Sequence, residues 1–567
     1  MRVVGRVLLA VVGGLVLVVG AAAAWVVGPD DTVVAGDTTF STGTAYTARG
    51  LLDVENLAVR VTAEARKGEV FVGVGHPVDV SDVVADHDAF RIFQVNIGSL
   101  AGAVDPGEDA MPDPRGIDWF DSVSGAGEQA LSYPVDGLAP QFLIYSPDGA
   151  PVTASIGFTV PGAFRFLLLV AGAGALLAAA SFLLRRRRPR GSGGADDVVD
   201  PTDAEPASDD AEEPRERAAT GTTTRRVAAV VGAGALVLPL GACAVVPTLP
   251  AEMPARQERK VALTADDVDA LWAGYDKRNN AAIKAAAAPK YDSSRWSTAD
   301  TGVALEGDLY WTRYNQAASK EEGAKKAKGD VERLTTTGEW VSSPSFDSYP
   351  MWAVVHGETT SSADEKKDAK DDTAKEKEPK FTTASLVVKV AADQPWKVRS
   401  GISVPVSEVE NFPEAATDPT EAQLAKAQKV AKAMNAYVST GKKSKLLGDL
   451  AGVKALRELY VGRIEEGMAD DDSPSTWSLD SELFDDESVH VVPADGGAYA
   501  VIDQRHTQKV QHDDAGWHWN PPFDAVNGDA GALLYQQQAS TVLVWIPDSG
   551  KVKTFPYYTR PVIADSM

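Results

Sequence analysis

Cysteine is almost absent: Cys243 is the only one in 567 residues. A single thiol cannot form an intrachain disulfide, so any part of the chain that folds must be held by its apolar core. Histidine is scarce as well, at seven, and no two histidines stand in an HxH or HExxH spacing. The compact zinc patterns are therefore excluded. No GxSxG, Walker loop or GxGxxG occurs, and Gly232-Ala233-Gly234 carries Val237 where a third glycine would be needed. Lysine is missing from most of the first part, where Lys67 is the only one before residue 252, against 26 afterwards. Of the 12 tryptophans only Trp25 and Trp119 precede residue 252. This break in composition reads as two coding histories joined near residue 220.

Three long segments lack charge altogether: Val7 to Val27, Phe166 to Leu184 and Val227 to Val246. At ~1.5 Å per residue each can cross a hydrocarbon core of roughly 30 Å. Arg2 and Arg6 precede the first, Arg185 to Arg188 follow the second, and Arg225 and Arg226 precede the third. By the positive-inside rule the N-terminus is then cytoplasmic, and residues 28–162 form a first external domain. Residues 163–184 cross back, 185–226 form a cytoplasmic linker, 227–247 cross again, and the remainder lies outside. The linker combines Gly, Ser, Pro and acid with few apolar residues, a composition that cannot build a core and predicts disorder.

Cys243 gives the third segment a second reading. Arg225-Arg226, an apolar run and Leu240-Gly241-Ala242-Cys243 have the layout of a lipoprotein signal, with Cys243 as the lipidated residue. The alternative is a third transmembrane helix with a small buried cysteine. Either way the C-terminal part is tethered to the membrane.

Residues 28–162 hold 20 Asp and Glu against 6 Lys and Arg, and residues 252–567 hold 50 against 37. Acidic surfaces of this kind repel phosphate backbones, so nucleic acid is not expected as a partner. In the first external domain, short alternating runs predict an all-β sandwich. They include Leu57 to Val61, Val70 to Val74, Phe142 to Tyr145 and Ala154 to Val160, separated by Asp105-Pro106-Gly107 and Pro147-Asp148-Gly149. Four segments carry a family resemblance: Phe71-Val72-Gly73-Val74-Gly75, Pro77-Val78-Asp79-Val80, Asp118-Trp119-Phe120 and Ala150 to Val160. On these, residues 1 to 185 resemble an actinobacterial membrane-protein family of unknown function, with a helix, a β-rich ectodomain and a second helix. The resemblance implies no activity. Where it implies a longer helical stretch after Asp79, this chain has Asp82, Asp86, His87 and Asp88. That cluster could offer oxygen ligands to calcium, but its spacing fits no EF-hand loop, and a solvated loop is the simpler expectation.

The C-terminal region reads as a duplication of helix followed by antiparallel sheet, over 262–405 and 418–567. In the first unit Val268, Leu271, Trp272 and Tyr275 mark one helical face, with Thr264 as a cap. Strands are then expected at Gly307 to Tyr314, Pro350 to Val355, Thr382 to Val390 and Trp396 to Val404. The mixed-charge run from Gly357 to Lys380 is expected to be a disordered insertion. In the second unit Asp418-Pro419-Thr420-Glu421 opens a helix that Gly441 closes. Strands follow at Val489 to Val492, Tyr499 to Asp503 and Leu533 to Trp545. The order predicts a C-terminal α+β ectodomain of tandem NTF2-like or cystatin-like units. With Leu240 to Cys243, Trp352 and Trp545, this half also resembles uncharacterised streptomycete lipoproteins, which implies a cell-surface location and no chemistry.

Two further groupings invite chemistry. His506, His512 and His518 are spaced by six, with Asp503, Asp513 and Asp514 nearby, but zinc needs three or four convergent ligands and exposed strand histidines are the expectation. Trp517, Trp519, Tyr557 and Tyr558 could line a cleft, though aromatics at strand positions usually belong to a core. The sequence thus predicts a multi-domain, three-pass protein of the cell envelope and cell membrane, with external binding or structural domains. No catalysis, metal or cofactor is expected, and the partners would be the membrane, an extracytoplasmic protein or an apolar ligand. The alternative is a surface hydrolase or ligand-transfer factor using a C-terminal cleft.

Overall fold

A computed structural model describes residues 2–52, 57–135, 139–186, 259–321, 333–361, 381–409, 411–413, 418–469, 475–512, 518–530 and 532–564. The expected third segment with Cys243, nearly all of the linker, and 362–380 of the expected insertion lie outside the described residues. The chain divides into two compact units. One comprises Met1–Pro77, Asp86–Ala110 and Trp119–Arg256, and the other Val78–Ala85, Met111–Asp118 and Gln257–Met567. It is a β-rich, multi-domain protein with several sheets.

In the first unit, helices α1 (Arg2–Val27) and α3 (Ala163–Arg186) are long and apolar enough to cross a membrane over Val7–Val27 and Ala163–Leu183. A Cβ on Gly13 would lie 2.6 Å from the backbone nitrogen of Ala178, and one on Gly174 2.4 Å from that of Leu17. The two backbones therefore touch through small residues, the usual way apolar helices associate where no water drives them together. Leu8, Leu15 and Val18 of α1, and Leu169, Leu176 and Leu183 of α3, face outward uncovered.

The helices leave from neighbouring strands. Strand β1 (Thr32–Phe40) follows α1, β8 (Val152–Thr159) precedes α3, and the two pair antiparallel from Thr32 opposite Thr159 to Phe40 opposite Val152. Asp31 fastens the junction: its carboxylate accepts the Gly162 N–H at 2.9 Å and the Phe164 N–H at 2.8 Å. Those two backbone donors hold its carboxyl below the usual carboxylate range, as expected at a helix N-terminus.

Between these ends run β2 (Thr44–Thr47), β3 (Leu57–Gly75), β4 (Ala89–Asn96), β5 (Ser99–Asp105), β6 (Asp121–Val135) and β7 (Gln141–Tyr145). The two expected runs Leu57 to Val61 and Val70 to Val74 are one strand, β3, bulged between Glu64 and Glu69. Its first half pairs with β8 and its second with β7, while β6 accompanies both. The strands expected to build the sandwich are joined by hydrogen bonds into one eight-stranded network in the order β1-β8-β3-β7-β2-β4-β5, with β6 beside β3. The Gly98 N–H donates to the Ala35 carbonyl at 2.6 Å, so the β4–β5 turn reaches back to β1. Val59, Val61, Val72, Ile92, Phe142 and Ile156 fill the space that this curl encloses.

In the second unit the element order repeats in coarse form. Helices α4 (Val268–Ala286) and α5 (Gly302–Ala318) precede a sheet of β9 (Val341–Ser342), β10 (Met351–His356), β11 (Phe381–Lys389) and β12 (Lys397–Pro405). Helices α6 (Glu421–Thr440) and α7 (Ala451–Ala469) precede a larger sheet. Its long strands are β14 (Ser475–Leu483), β15 (Val489–Ala494), β16 (Gly497–His512), β18 (Leu533–Pro547) and β19 (Val552–Val562). Short strands β13 (Leu447–Asp449) and β17 (Gly528–Ala530) join it at β19 and β18. Gly307 to Tyr314, expected as a strand, lies inside α5. Val303, Ala304, Gly307 and Tyr310, among its buried positions, follow a helical period. Helix α6 begins two residues later than expected, because Thr420 and Gln423 cap each other reciprocally, and Gly441 ends it at φ +73°.

The two halves are not separate beads. Val354, Leu386, Ile402 and Val404 of the smaller sheet share one core with Tyr499, Val501, Leu543 and Phe555 of the larger. Buried Arg399 crosses the same boundary, donating to Asp503 at 3.0 Å and to Asp485 at 2.5 Å. Thr541 donates to the other oxygen of Asp503 at 2.7 Å. Helix α2 (Pro77–Val84) belongs to this unit, where buried Asp79 accepts from Lys260 at 2.5 Å and Tyr349 at 2.8 Å.

Candidate functional site

The helices of the first half stand over the sheet and leave a cavity of about 620 Å³. That volume lies within the range of small-molecule sites. Helix α4 contributes Trp272, Tyr275 and Asn279, at spacings of three and four that place them on one face. Helix α5 contributes Ala304 and Asp308, and the segment joining the two helices brings in Trp296 and Asp300. Strands β11 and β12 supply the floor, and β19 closes one side with Tyr557, Tyr558 and Arg560.

Trp272, Trp296, Tyr275 and Tyr558 are each fixed by a hydrogen bond. Trp272 Nε1 donates to the His356 carbonyl at 2.9 Å and Trp296 Nε1 to Thr312 Oγ1 at 2.9 Å. Tyr275 donates its hydroxyl to Asp300 Oδ1 at 3.1 Å. Arg560 pairs with Asp308 at 2.9 Å, and its Nε donates to the Tyr558 hydroxyl at 2.9 Å. Gly307 makes room for that arginine, since a Cβ there would lie 2.6 Å from Arg560 Cδ.

Asp300 stands apart from this satisfied framework. It is 1% exposed, and its Oδ2 is buried without a hydrogen-bond partner among the described residues. Burial, reinforced by the neighbouring Asp308 charge, pushes its carboxyl up to about 8 against the opposing pull of Arg560, Tyr275 and Arg278. The Asp308 carboxyl is also raised by burial, though Arg560 opposes the shift. Burial works against the charge of Arg560, but Asp308 and Tyr558 more than offset it and its pKa is raised. The Tyr275 phenol is pushed well above its usual value by burial and by the Asp300 charge. The arrangement is an aromatic chamber holding one close ion pair and one acid that no cation among the described residues contacts directly.

A second hollow of about 800 Å³ includes Glu408, Phe412, Tyr499 and Trp545. It is larger, but of its three acids Glu408 accepts from Tyr499 at 2.7 Å and from Lys553 at 3.0 Å, Asp418 pairs with Arg259 at 2.8 Å, and Asp495 is exposed to solvent. We place the site at Asp300, where a buried polar atom remains unmatched.

Of the aromatics that the sequence offered for a cleft, Tyr557 and Tyr558 line this cavity. Trp519 does not, and donates instead to the Gly528 carbonyl at 3.0 Å; Trp517 lies outside the described residues. The histidines are not the expected exposed row. His506 is buried on β16, with Nε2 2.7 Å from Ser540 Oγ, and burial lowers its pKa to about 3. His512 is buried too, and only His518 is exposed. Asp513 and Asp514 lie outside the described residues. Asp82 accepts the Ala392 N–H at 2.8 Å and Asp88 the Gly107 N–H at 2.9 Å, so these two acids of the cluster for which a solvated loop was the expectation serve different loops. Among the described residues no group of three or more His, Cys, Asp or Glu is placed to hold a metal ion.

Asp300, Asp308, Trp296 and Arg560 escaped sequence reasoning. The helical face through Trp272 and Tyr275 was visible, but reading Gly307 to Tyr314 as a strand hid the spacing of four that sets Asp308 below Ala304. Comparison with known proteins adds no precedent: no family model, curated protein or solved structure matches the chain.

Proposed function

We propose that this chain is a membrane-anchored protein of the cell envelope that binds a small, largely apolar ligand outside the membrane. The observation that carries the reading is the Asp300 cavity: an aromatic chamber of ligand size with an unmatched buried oxygen. Anchoring rests on α1 and α3, whose outward faces are uncovered leucine and valine, and on the arginines flanking the apolar segments. The third segment around Cys243 supplies a further tether, as helix or as lipid anchor. The envelope assignment also draws on the sequence resemblances, and the C-terminal half is read as tandem NTF2-like or cystatin-like units in which a sheet cradles helices.

The test is binding by the full chain in lipid nanodiscs. A neutral apolar probe such as benzyl alcohol should change the tryptophan emission of wild type, because Trp272 and Trp296 stand in the cavity wall. Ser385→Trp, which fills the floor, should abolish the change. Equal responses from the two chains would defeat the reading.

One observation favours a second reading as a surface hydrolase. Two buried carboxyls with raised pKa values share the cavity, and a carboxyl that keeps its proton near neutral pH can serve as a general acid. Hydrolysis of chromogenic esters or glycosides that Asp300→Asn abolishes would support it; indistinguishable background rates would dismiss it.

A further inference from the structure

The polarity of the Asp300 chamber narrows its ligand, provided that the binding function proposed above holds. We infer that the cavity takes an organic ammonium ion with an aromatic or apolar body, its N–H donated to Asp300 Oδ2 and its body against Trp272, Tyr275 and Tyr558.

The argument is one of charge and hydrogen-bond matching. Three ionisable groups with strong charges line the chamber: Asp300, Asp308 and Arg560. Asp308 and Arg560 are 2.9 Å apart and cancel. The remaining acid is Asp300, charged only once it gives up its proton; it receives a neutral phenol from Tyr275 on one oxygen and nothing from the described residues on the other. Arg278, the other cation near Asp300, donates to the carbonyls of Thr298 at 2.9 Å and Trp396 at 2.6 Å rather than to the carboxylate, so its charge acts on Asp300 without a direct contact. An ionised carboxylate buried in this way is costly unless a cation meets it, and a monocation carrying its own N–H satisfies both the charge and the empty lone pair. An anion would meet Asp300 as a like charge. A hydrocarbon would leave Oδ2 unmatched.

The walls agree with a cation. Electron-rich ring faces attract an ammonium, and the chamber already shows the geometry with its own arginine: the Arg560 guanidinium carbon lies 5.6 Å from the centre of the Tyr558 ring. Ligand uptake is coupled to a proton. Burial keeps Asp300 protonated at neutral pH, so the ammonium binds as that carboxyl releases its proton to solvent, and charge in the cavity stays balanced.

The test uses the full-length chain in nanodiscs of neutral lipid, with benzylamine and its neutral counterpart benzyl alcohol as probes and tryptophan emission as readout. We expect benzylamine to bind at least tenfold more tightly than benzyl alcohol at pH 8. Its affinity should weaken by up to about tenfold per pH unit on going from 8 to 6, as the proton competes for Asp300. The benzyl alcohol affinity should not move with pH. Asp300→Asn should remove the preference for the amine and keep the alcohol. Equal, pH-independent affinities for the two probes overturn the ammonium inference and leave a general binding cavity intact. No response to either probe overturns both. The two-probe comparison on wild type needs no variant, so a failure of Asp300→Asn to fold does not remove the test.

Discussion

Replacing Asp300 with asparagine should make the protein more stable at neutral pH, by an amount that depends on pH in a defined way. The substitution keeps the side-chain shape and an oxygen for Tyr275 but removes the titrating proton. In the folded chain the Asp300 carboxyl is raised to about 8 by burial and by Asp308. In the unfolded chain it titrates near 3.9. The folded state therefore holds a proton that the unfolded state releases, and stability is fully present below about pH 4 and lost as pH rises towards about 8. At pH 7, about three units above the exposed value, protonating the buried carboxyl costs on the order of 4 kcal/mol; at pH 5, about one unit above it, the cost is roughly a third of that. Asparagine avoids that cost. Its advantage over wild type should grow by up to about 1.4 kcal/mol for each pH unit between 5 and 7. Urea unfolding of the full chain in nanodiscs, followed by tryptophan emission, reads this mainly from the second unit, since ten of the 12 tryptophans lie beyond residue 251. A stability difference that stays constant from pH 5 to 7, or an asparagine variant less stable than wild type at pH 7, would refute a buried, protonated Asp300.

Other predictions follow from packing and capping. Gly174→Leu should lower the melting temperature of the nanodisc-embedded chain, because a side chain there meets the α1 backbone, whereas Gly14→Leu, with open space around it, should leave it unchanged; equal melting would remove the glycine contact from the account. Asp503→Ala removes one of the carboxylates that pair with buried Arg399 and leaves Asp485, and should cost on the order of 2 kcal/mol in urea unfolding, against well under half of that for exposed Lys454→Ala, whose partner Glu458 is also exposed. Thr420→Ala removes the α6 cap and should cost about 1 kcal/mol in the same assay, with Thr420→Ser restoring most of it.

What could be read from the sequence was periodicity. The strands around Met351, Phe381 and Lys397 lie within a residue or two of expectation, because β-branched residues alternate there between turn signals. Helix α5 departs from that expectation for the converse reason: Tyr310, Trp311, Thr312 and Tyr314 have strand propensity, and packing of Val303, Ala304, Gly307 and Tyr310 on one face overrode it. Alternation also says that β1 to β8 are strands without saying how they close, because closure depends on the β3 bulge and on Gly98 meeting Ala35. The site was least visible. Asp300 looks like any loop acid, and its chemistry comes from burial beneath Trp296 and beside Asp308, which no local pattern encodes.

The pairing of β1 with β8 also fixes how this protein bears load. Both strands meet their helices at the same end of one ladder, Thr32 opposite Thr159. A pull transmitted through α1 and α3 together runs along the two strands side by side, so it cannot peel them apart bond by bond. It must instead shear the ladder by which β8 pairs with β3, with those cross-strand hydrogen bonds loaded together, and shear of that kind is the direction in which a sheet yields last.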